Sequence, residues 1–179
     1  MRRFAVEPVG TELGDMFLVA DADGRLCAAD FSDCEPRMRK LLARRFGAID
    51  LMAGSVPDEI KVSLAAYFAG KLDAIEHIHV RLAGTAFQDE VWSALRTVEP
   101  GRPLAYSAFA ARIGRPQSPR AVGHANSANP ISIVVPCHRL VGVNGALTGY
   151  AGGIERKRWL LDHEARWAGV TESTIASAS

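Results

Sequence analysis

The 179-residue sequence has no long apolar run and carries only three cysteines. No segment approaches the roughly 20 consecutive apolar residues of a membrane-spanning helix, and its start, MRRFAVEPVGTELG, lacks the apolar core of a secretory signal. We therefore expect a cytoplasmic protein without a membrane partner. Apolar residues make up 48% of the chain and charged residues 23%, a composition that excludes the disordered class.

The cysteines Cys27, Cys34 and Cys137 are odd in number and form no CxxC pair. This pattern argues against a disulfide framework and against a cysteine-rich zinc site, and it leaves at least one free thiol. His77 and His79 could share one face of a strand, but two ligands do not close a metal site. We expect no bound metal.

The chain also has almost no net charge, since the formal total is +1. Its distribution is nevertheless uneven. Residues 1–86 contain 11 Lys and Arg against 13 Asp and Glu, whereas residues 87–168 contain 10 against 6. The second part of the chain is therefore the candidate for binding a polyanion.

Residues 1–84 read as a small α/β domain with an antiparallel sheet. The stretch MFLVADADGRLCAADF predicts two strands joined by an Asp-Gly turn. Two amphipathic helices are predicted at EPRMRKLLARRF and DEIKVSLAAYFAG, and IEHIHVRL alternates like a returning strand. The stretch LAGTAFQ is the expected linker.

Residues 85–168 read as a mainly helical domain. Helices are predicted at AFQDEVWSALRTV and SAFAARIG, with Thr85 and Ser107 as their N-caps, and at PRAVGHANSA. The stretch IGRPQSPRAVG resembles the turn of a helix-turn-helix. The apolar run ISIVV then leads to Pro136, GGIERKRWLLDHEAR predicts a last helix, and residues 169–179 are expected to be a disordered tail.

The stretch SIVVPCHRLVG places Cys137 and His138 side by side. A thiol attacks only as thiolate and needs a base, and neighbouring side chains can cooperate only if Pro136 ends the extended run and starts a turn. The base in turn needs an orienting partner, for which Glu164 is favoured over Asp162. The alternative is a buried thiol beside a surface histidine.

The helix before this stretch has a thin surface. Ala121, Gly123 and Ala125 are small, and Arg120 stands at the start of the helix. Such a surface can approach a nucleic-acid groove, while the arginine fills the space that an extruded base leaves. The same small residues could equally serve to pack this helix against its neighbour.

The order of the motifs RAVG, NP, PCHR and GY.GG…K..LL..E, within residues 87–164, closely resembles that of the O6-alkylguanine-DNA alkyltransferases. The resemblance implies an RNase H-like first domain and a winged-helix-like second domain. It implies a monomer that extrudes O6-alkylguanine from double-stranded DNA, and it leaves open whether O4-alkylthymine is also accepted. The alkyl group then moves irreversibly to a cysteine of the protein, without a cofactor.

The resemblance also implies roles for individual residues. Cys137 accepts the alkyl group, His138 takes the thiol proton through a water, and Glu164 holds the imidazole. Tyr106 protonates the leaving base and lies by its phosphate, Asn129 is a hinge, and Arg120 enters the duplex. The remaining implied DNA contacts are Ala121, Gly123, His124 and Asn126, and the implied substrate pocket comprises Pro136, Leu140, Tyr150, Ala151 and Gly152.

Two residues depart from the common pattern, since Ala151 and Ala105 stand where serines are frequent. They leave the range of alkyl groups open. Two other functions remain as alternatives: a protein that binds the lesion or senses alkylation without transfer, and a cysteine hydrolase. A hydrolase would need an oxyanion hole, for which the sequence offers no candidate.

Overall fold

The computed structural model describes residues 1–169, and these divide into two compact units. The first unit comprises Met1–Gly84 together with Pro130–Val134, and the second comprises Thr85–Asn129 and the chain from Val135 onward. The return of residues 130–134 to the first unit was not predicted from the sequence. The predicted tail lies, from residue 170, outside the described residues.

The first unit is a four-stranded sheet with two helices. Its elements are β1 (Arg2–Val9), β2 (Met16–Ala20), β3 (Leu26–Phe31), α1 (Glu35–Phe46), β4 (Ile49–Ala53) and α2 (Asp58–Phe68). The strand order is β3-β2-β1-β4. The predicted hairpin is β2–β3, and both predicted helices are present.

The expectation of an antiparallel sheet was wrong, because β4 pairs parallel to β1 while the other pairs are antiparallel. Both β1 and β4 were missed in the sequence. The predicted strand in IEHIHVRL is also wrong: Leu72–His77 forms a 3₁₀ helix, and Val80 makes only an isolated bridge to Leu26. Alternation of apolar residues alone does not distinguish these two conformations over so short a stretch.

The core of the first unit lies between the sheet and α1. Side chains from both surfaces are buried in it, namely Phe4, Val19, Cys27, Ala28, Met38, Leu42 and Phe46. Residues 130–132 extend this unit beside β3, where Ala29 N donates to Pro130 O at 3.0 Å and Ser132 N donates to Ala29 O at 2.7 Å. The run ISIVV is therefore not a regular strand, and Ile133 has a positive φ of 71°.

The second unit is mainly helical. Its elements are α3 (Ala86–Leu95), β5 (Leu104–Ala105), α4 (Tyr106–Arg112), α5 (Pro119–Ser127), β6 (Leu140–Val141) and α6 (Ile154–Trp167). The short strands β5 and β6 pair in parallel. Trp92 of α3 donates its indole N–H to Ala125 O of α5 at 2.8 Å, which joins these two helices in the core.

The two predicted helix caps had different outcomes. Thr85 caps α3 and forms a reciprocal capping box with Gln88, as these residue types at this spacing favour. Ser107 does not cap α4, because the helix begins one residue earlier, at Tyr106, with Ala105 at the N-cap position and no side-chain cap. Within residues 1–169 no helix is long and apolar enough to cross a membrane, and no group of three or more His, Cys, Asp or Glu could hold a metal ion.

Candidate active site

The cysteine segment is a turn. Pro136 precedes a 3₁₀ turn over Cys137–Arg139, in which all three residues are buried, and Cys137 itself is 6% exposed. Arg139 N donates to Pro136 O at 3.0 Å, which closes the turn. The turn after Pro136, on which cooperation between Cys137 and His138 depended, is present, although the residues before Pro136 are themselves turned and not extended.

His138 is held by Glu164 of α6. Its Nε2 lies 2.8 Å from Glu164 Oε1, and both side chains are fully buried. Asp162, the weaker candidate, is exposed. A carboxylate can only accept, so Nε2 carries the proton and Nδ1 keeps its lone pair. Nδ1 is itself buried and has no hydrogen-bond partner among residues 1–169, which leaves it able to accept a proton.

Arg139 is a member of this site that the sequence reasoning missed. Its Nε lies 3.0 Å from Glu164 Oε2, its Nη2 lies 2.9 Å from Oε1, and Nη1 donates to Val98 O. The Arg139 side chain is 4% exposed, so this bidentate pair is shielded from water. The sequence did contain a signal for this pair, since Arg139 stands between apolar residues in VVPCHRLVG. An arginine buried in such a run needs an anionic partner that is buried with it.

The charges around His138 determine its protonation. Burial lowers the pKa of His138, Glu164 opposes that shift, and the cations Arg139 and Lys157 reinforce it. His138 and Arg139 together hold the pKa of Glu164 well below its ordinary value despite burial. At neutral pH the site therefore contains an anionic Glu164 and a neutral His138 that is ready to act as a base.

Tyr106 begins α4, next to Cys137. Burial raises the pKa of its phenol, and the nearby Cys137 adds to the increase. The hydroxyl accepts a hydrogen bond from Asn126 Nδ2 at 3.5 Å and shares a side-chain hydrogen bond with Thr148. The phenol is therefore protonated at neutral pH and can donate a proton.

Lys157 is fully buried, which its exposed-looking sequence context, ERKR, did not indicate. Its Nζ donates to Leu140 O at 2.6 Å and to Thr148 O at 2.9 Å, and it lies 5.9 Å from the centre of the Tyr106 ring. Burial lowers its pKa to about 8, while Cys137 acts in the opposite direction. The ammonium group thus joins two loops of the site.

Asn129 and Asn126, near the end of α5, both bind the backbone of the cysteine segment. Asn129 Nδ2 donates to Val135 O at 2.7 Å, and Asn126 Nδ2 donates to Cys137 O at 3.2 Å. Both side chains are buried. The end of α5 is thereby fixed to the residues that flank Cys137.

The other implied DNA contacts lie elsewhere on α5. Arg120, Ala121 and His124 are exposed and form its outer face, whereas Gly123 is half-buried. A Cβ at Gly123 would lie 3.9 Å from two carbons of the Tyr106 ring. Asn126 does not share the exposed face.

The residues of the implied pocket fall on both sides of Cys137 in sequence. Pro136, Leu140 and Gly152 are buried, Tyr150 is half-buried, and Ala151 is exposed. Tyr150–Gly153 form a turn in which Gly153 N donates to Tyr150 O at 2.9 Å. Gly153 has a φ of 94°, which explains a glycine immediately before α6.

Comparison with known proteins agrees with this geometry. The family model described as the 6-O-methylguanine DNA methyltransferase DNA binding domain matches residues 86–166. The methylated-DNA–protein-cysteine methyltransferase of Salmonella typhimurium is 46% identical over 166 residues, which cover 92% of this chain and 97% of the relative.

Solved structures show the same likeness. Mycobacterium tuberculosis OGT in complex with DNA superposes with a TM-score of 0.75 at 36% identity, covering 92% of this chain and 94% of that one. The O6-methylguanine-DNA methyltransferase of Pyrococcus kodakaraensis gives a TM-score of 0.66 at 26% identity, covering 90% and 98%. Buried His138, which pairs with Glu164, lies on the same turn as Cys137, and a relative is 46% identical along nearly the whole chain; the chain therefore belongs to the methylated-DNA–protein-cysteine methyltransferase family.

Proposed function

We propose that this protein repairs DNA by moving an alkyl group from O6 of guanine to Sγ of Cys137, once per protein molecule. The observation that carries the proposal is the state of His138. Glu164 fixes the proton on Nε2, so Nδ1, beside Cys137 in sequence and on the same turn, is left as a buried acceptor. The family membership supplies the substrate class.

The transfer removes one proton from the thiol and delivers one proton to the leaving base. The thiol proton of Cys137 passes through a water to His138 Nδ1, and the thiolate attacks the alkyl carbon. The new S–C bond forms as the C–O6 bond breaks, and its electron pair enters the guanine ring. Tyr106 donates a proton to a ring nitrogen, so that guanine leaves neutral. The phenolate and the imidazolium then return to their starting states by exchange with solvent.

Lys157 supports the negative charge on sulfur. With a pKa of about 8 it is mostly protonated at neutral pH, and it interacts electrostatically with Cys137. A cation near a thiol favours the thiolate. The C–S bond of the product is not reversed, which makes the protein a single-use reagent.

DNA binding is assigned to the exposed face of α5. Arg120 enters the duplex in place of the extruded base, and Ala121 and His124 lie against the groove, while Gly123 keeps the helix thin near Tyr106. Lesions can occur in any sequence, so phosphate contacts should dominate the affinity. Affinity for undamaged duplex should therefore fall steeply as salt rises.

The finer assignments rest on the family resemblance and belong to the same proposal. The first unit is RNase H-like and the second winged-helix-like, with Tyr150, Ala151 and Gly152 closing the pocket beside Pro136 and Leu140. Asn129 acts as the hinge between α5 and the cysteine segment. The protein works as a cytoplasmic monomer on double-stranded DNA that carries O6-alkylguanine.

The test is intact-protein mass spectrometry after incubation with a duplex that carries one O6-methylguanine, followed by peptide mapping. We expect one methyl group on the peptide that contains Cys137, and none in Cys137→Ser. Cys34→Ser, at a half-buried thiol in the first unit, is the matched control and should transfer normally. An unchanged mass with tight lesion binding would instead indicate a lesion-binding protein, and sustained turnover would indicate a hydrolase.

A further inference from the structure

Asn126 occupies a position between the nucleophile and the acid. The residue is 4% exposed, and its Nδ2 donates both to Cys137 O at 3.2 Å and to the Tyr106 hydroxyl at 3.5 Å. A backbone carbonyl can only accept, so the amide nitrogen must face Cys137. The orientation of the amide is thereby fixed, and Oδ1 is directed away from both partners.

Asn126 Oδ1 has an unused bonding capacity. The atom is buried and has no hydrogen-bond partner within the described part of the chain. An unsatisfied buried acceptor carries the full cost of its desolvation, and such groups in native proteins call for a specific explanation. In a site that must receive a polar base, the simplest explanation is a donor that the substrate brings.

The chemistry of the substrate restricts what that donor can be. Alkylation at O6 removes the N1 proton of guanine, so the exocyclic 2-amino group is the remaining N–H donor on the base. The other polar atoms of the ring are acceptors, which would repel Oδ1. O4-alkylthymine offers no N–H on its ring, and O6-alkylhypoxanthine differs from O6-alkylguanine only by lacking the amino group.

We propose that Asn126 Oδ1 accepts a hydrogen bond from the 2-amino group of the extruded base and so makes the site selective for alkylated guanine. This inference rests on the proposed function, since it names the part of the substrate that the same site reads. Asn126 then performs two tasks with one amide. Nδ2 orients the Tyr106 hydroxyl and the Cys137 backbone, and Oδ1 recognises the base.

The test removes each partner of the hydrogen bond separately. Single-turnover transfer rates are measured with two duplexes of identical sequence, one carrying O6-methylguanine and the other O6-methylhypoxanthine, for the wild type and for Asn126→Leu. A neutral hydrogen bond accounts for up to about tenfold, so the wild type should prefer the guanine duplex by about that factor. Asn126→Leu should be slower on guanine and should have a preference close to one.

The ratio distinguishes recognition from a purely structural role. If Asn126 only positions Tyr106 and Cys137, Asn126→Leu will slow both substrates equally and keep the wild-type preference, which overturns the proposal. Asn129→Leu, which removes a buried asparagine bound to the same backbone segment, is the control and should slow both substrates without changing their ratio. If Asn126→Leu does not fold, a wild-type preference near one still overturns the inference. If wild-type Cys137 gains a methyl group from neither duplex, the proposed function itself is refuted.

Discussion

Glu164→Gln is the most informative perturbation of the buried charges. Glu164 accepts hydrogen bonds from His138 and Arg139, and Gly101 N approaches its other oxygen at 3.5 Å. Glutamine keeps the shape of the side chain but removes its charge. The substitution therefore leaves the guanidinium of the buried Arg139 without a counter-charge.

The expected loss of stability follows from that geometry. Removing one member of a buried, bidentate ion pair costs about 3–5 kcal/mol, because the remaining charge stays desolvated. Neither partner is exposed enough for solvent screening to reduce this value. For a chain of this length 1 kcal/mol corresponds to about 2–4 °C, so the Tm should fall by roughly 10 °C.

The double variant Arg139→Met with Glu164→Gln tests the cause. Replacing both charges removes the stranded cation, so the double variant should be more stable than Glu164→Gln alone. Its transfer rate should nevertheless stay about a hundredfold below that of the wild type, since a neutral partner no longer stabilises protonated His138.

Thermal unfolding and single-turnover transfer, measured on the same preparations, separate the two effects. Glu155→Gln, on the same helix, is the matched control, because its pair with Arg158 is exposed and should contribute within about 0.5 kcal/mol. A Glu164→Gln protein as stable as the wild type, or a double variant less stable than the single one, would refute the reasoning.

Three further predictions follow from the structure. Burial lowers the pKa of His138 below its ordinary 6.5, so the transfer rate measured against pH should stay level until the pH is below 6.5. As the pH falls below 6.5, the histidine of the unfolded chain binds a proton before that of the folded chain does, so the free energy of unfolding should also decline. Burial raises the pKa of Cys27 to about 11, so a thiol-alkylating reagent, followed by peptide mapping, should label it only in denaturant, and labelling in the native state would contradict its burial. A Cβ at Gly142 would lie 3.2 Å from Ala146 Cβ and Thr148 Cγ2, so Gly142→Ala should lower the free energy of unfolding, measured with denaturant, by about 1–3 kcal/mol. Gly123→Ala is the control: its Cβ would make only ordinary contact with Tyr106, and the free energy of unfolding should not change.

Much of this protein is determined by local sequence. The hairpin at β2–β3, helices α1, α2 and α3, and the capping box at Thr85 follow from turn residues, helical spacing and a capping pattern within a few residues of each other. The linear order of RAVG, PCHR and the final helix was sufficient to place the chain in its family. Even the choice of Glu164 as the partner of His138 came from these motifs.

Other features depend on contacts between residues distant in sequence. Strand β4 pairs with β1 across some 45 residues of chain, and Pro130–Val134 join the first unit through Ala29, roughly 100 residues earlier, so no local pattern predicts either.

The charges of the active site were also decided by the tertiary structure. The local sequence does not predict that Arg139 and Lys157 are buried, because long cationic side chains are normally exposed. Only the fold supplies the Glu164 carboxylate and the backbone carbonyls of Leu140 and Thr148 that make their burial possible. The sequence alone thus singled out Cys137 as the candidate nucleophile and His138 as the candidate base, while the packing of α6 against the cysteine turn decided the protonation state in which His138 is held.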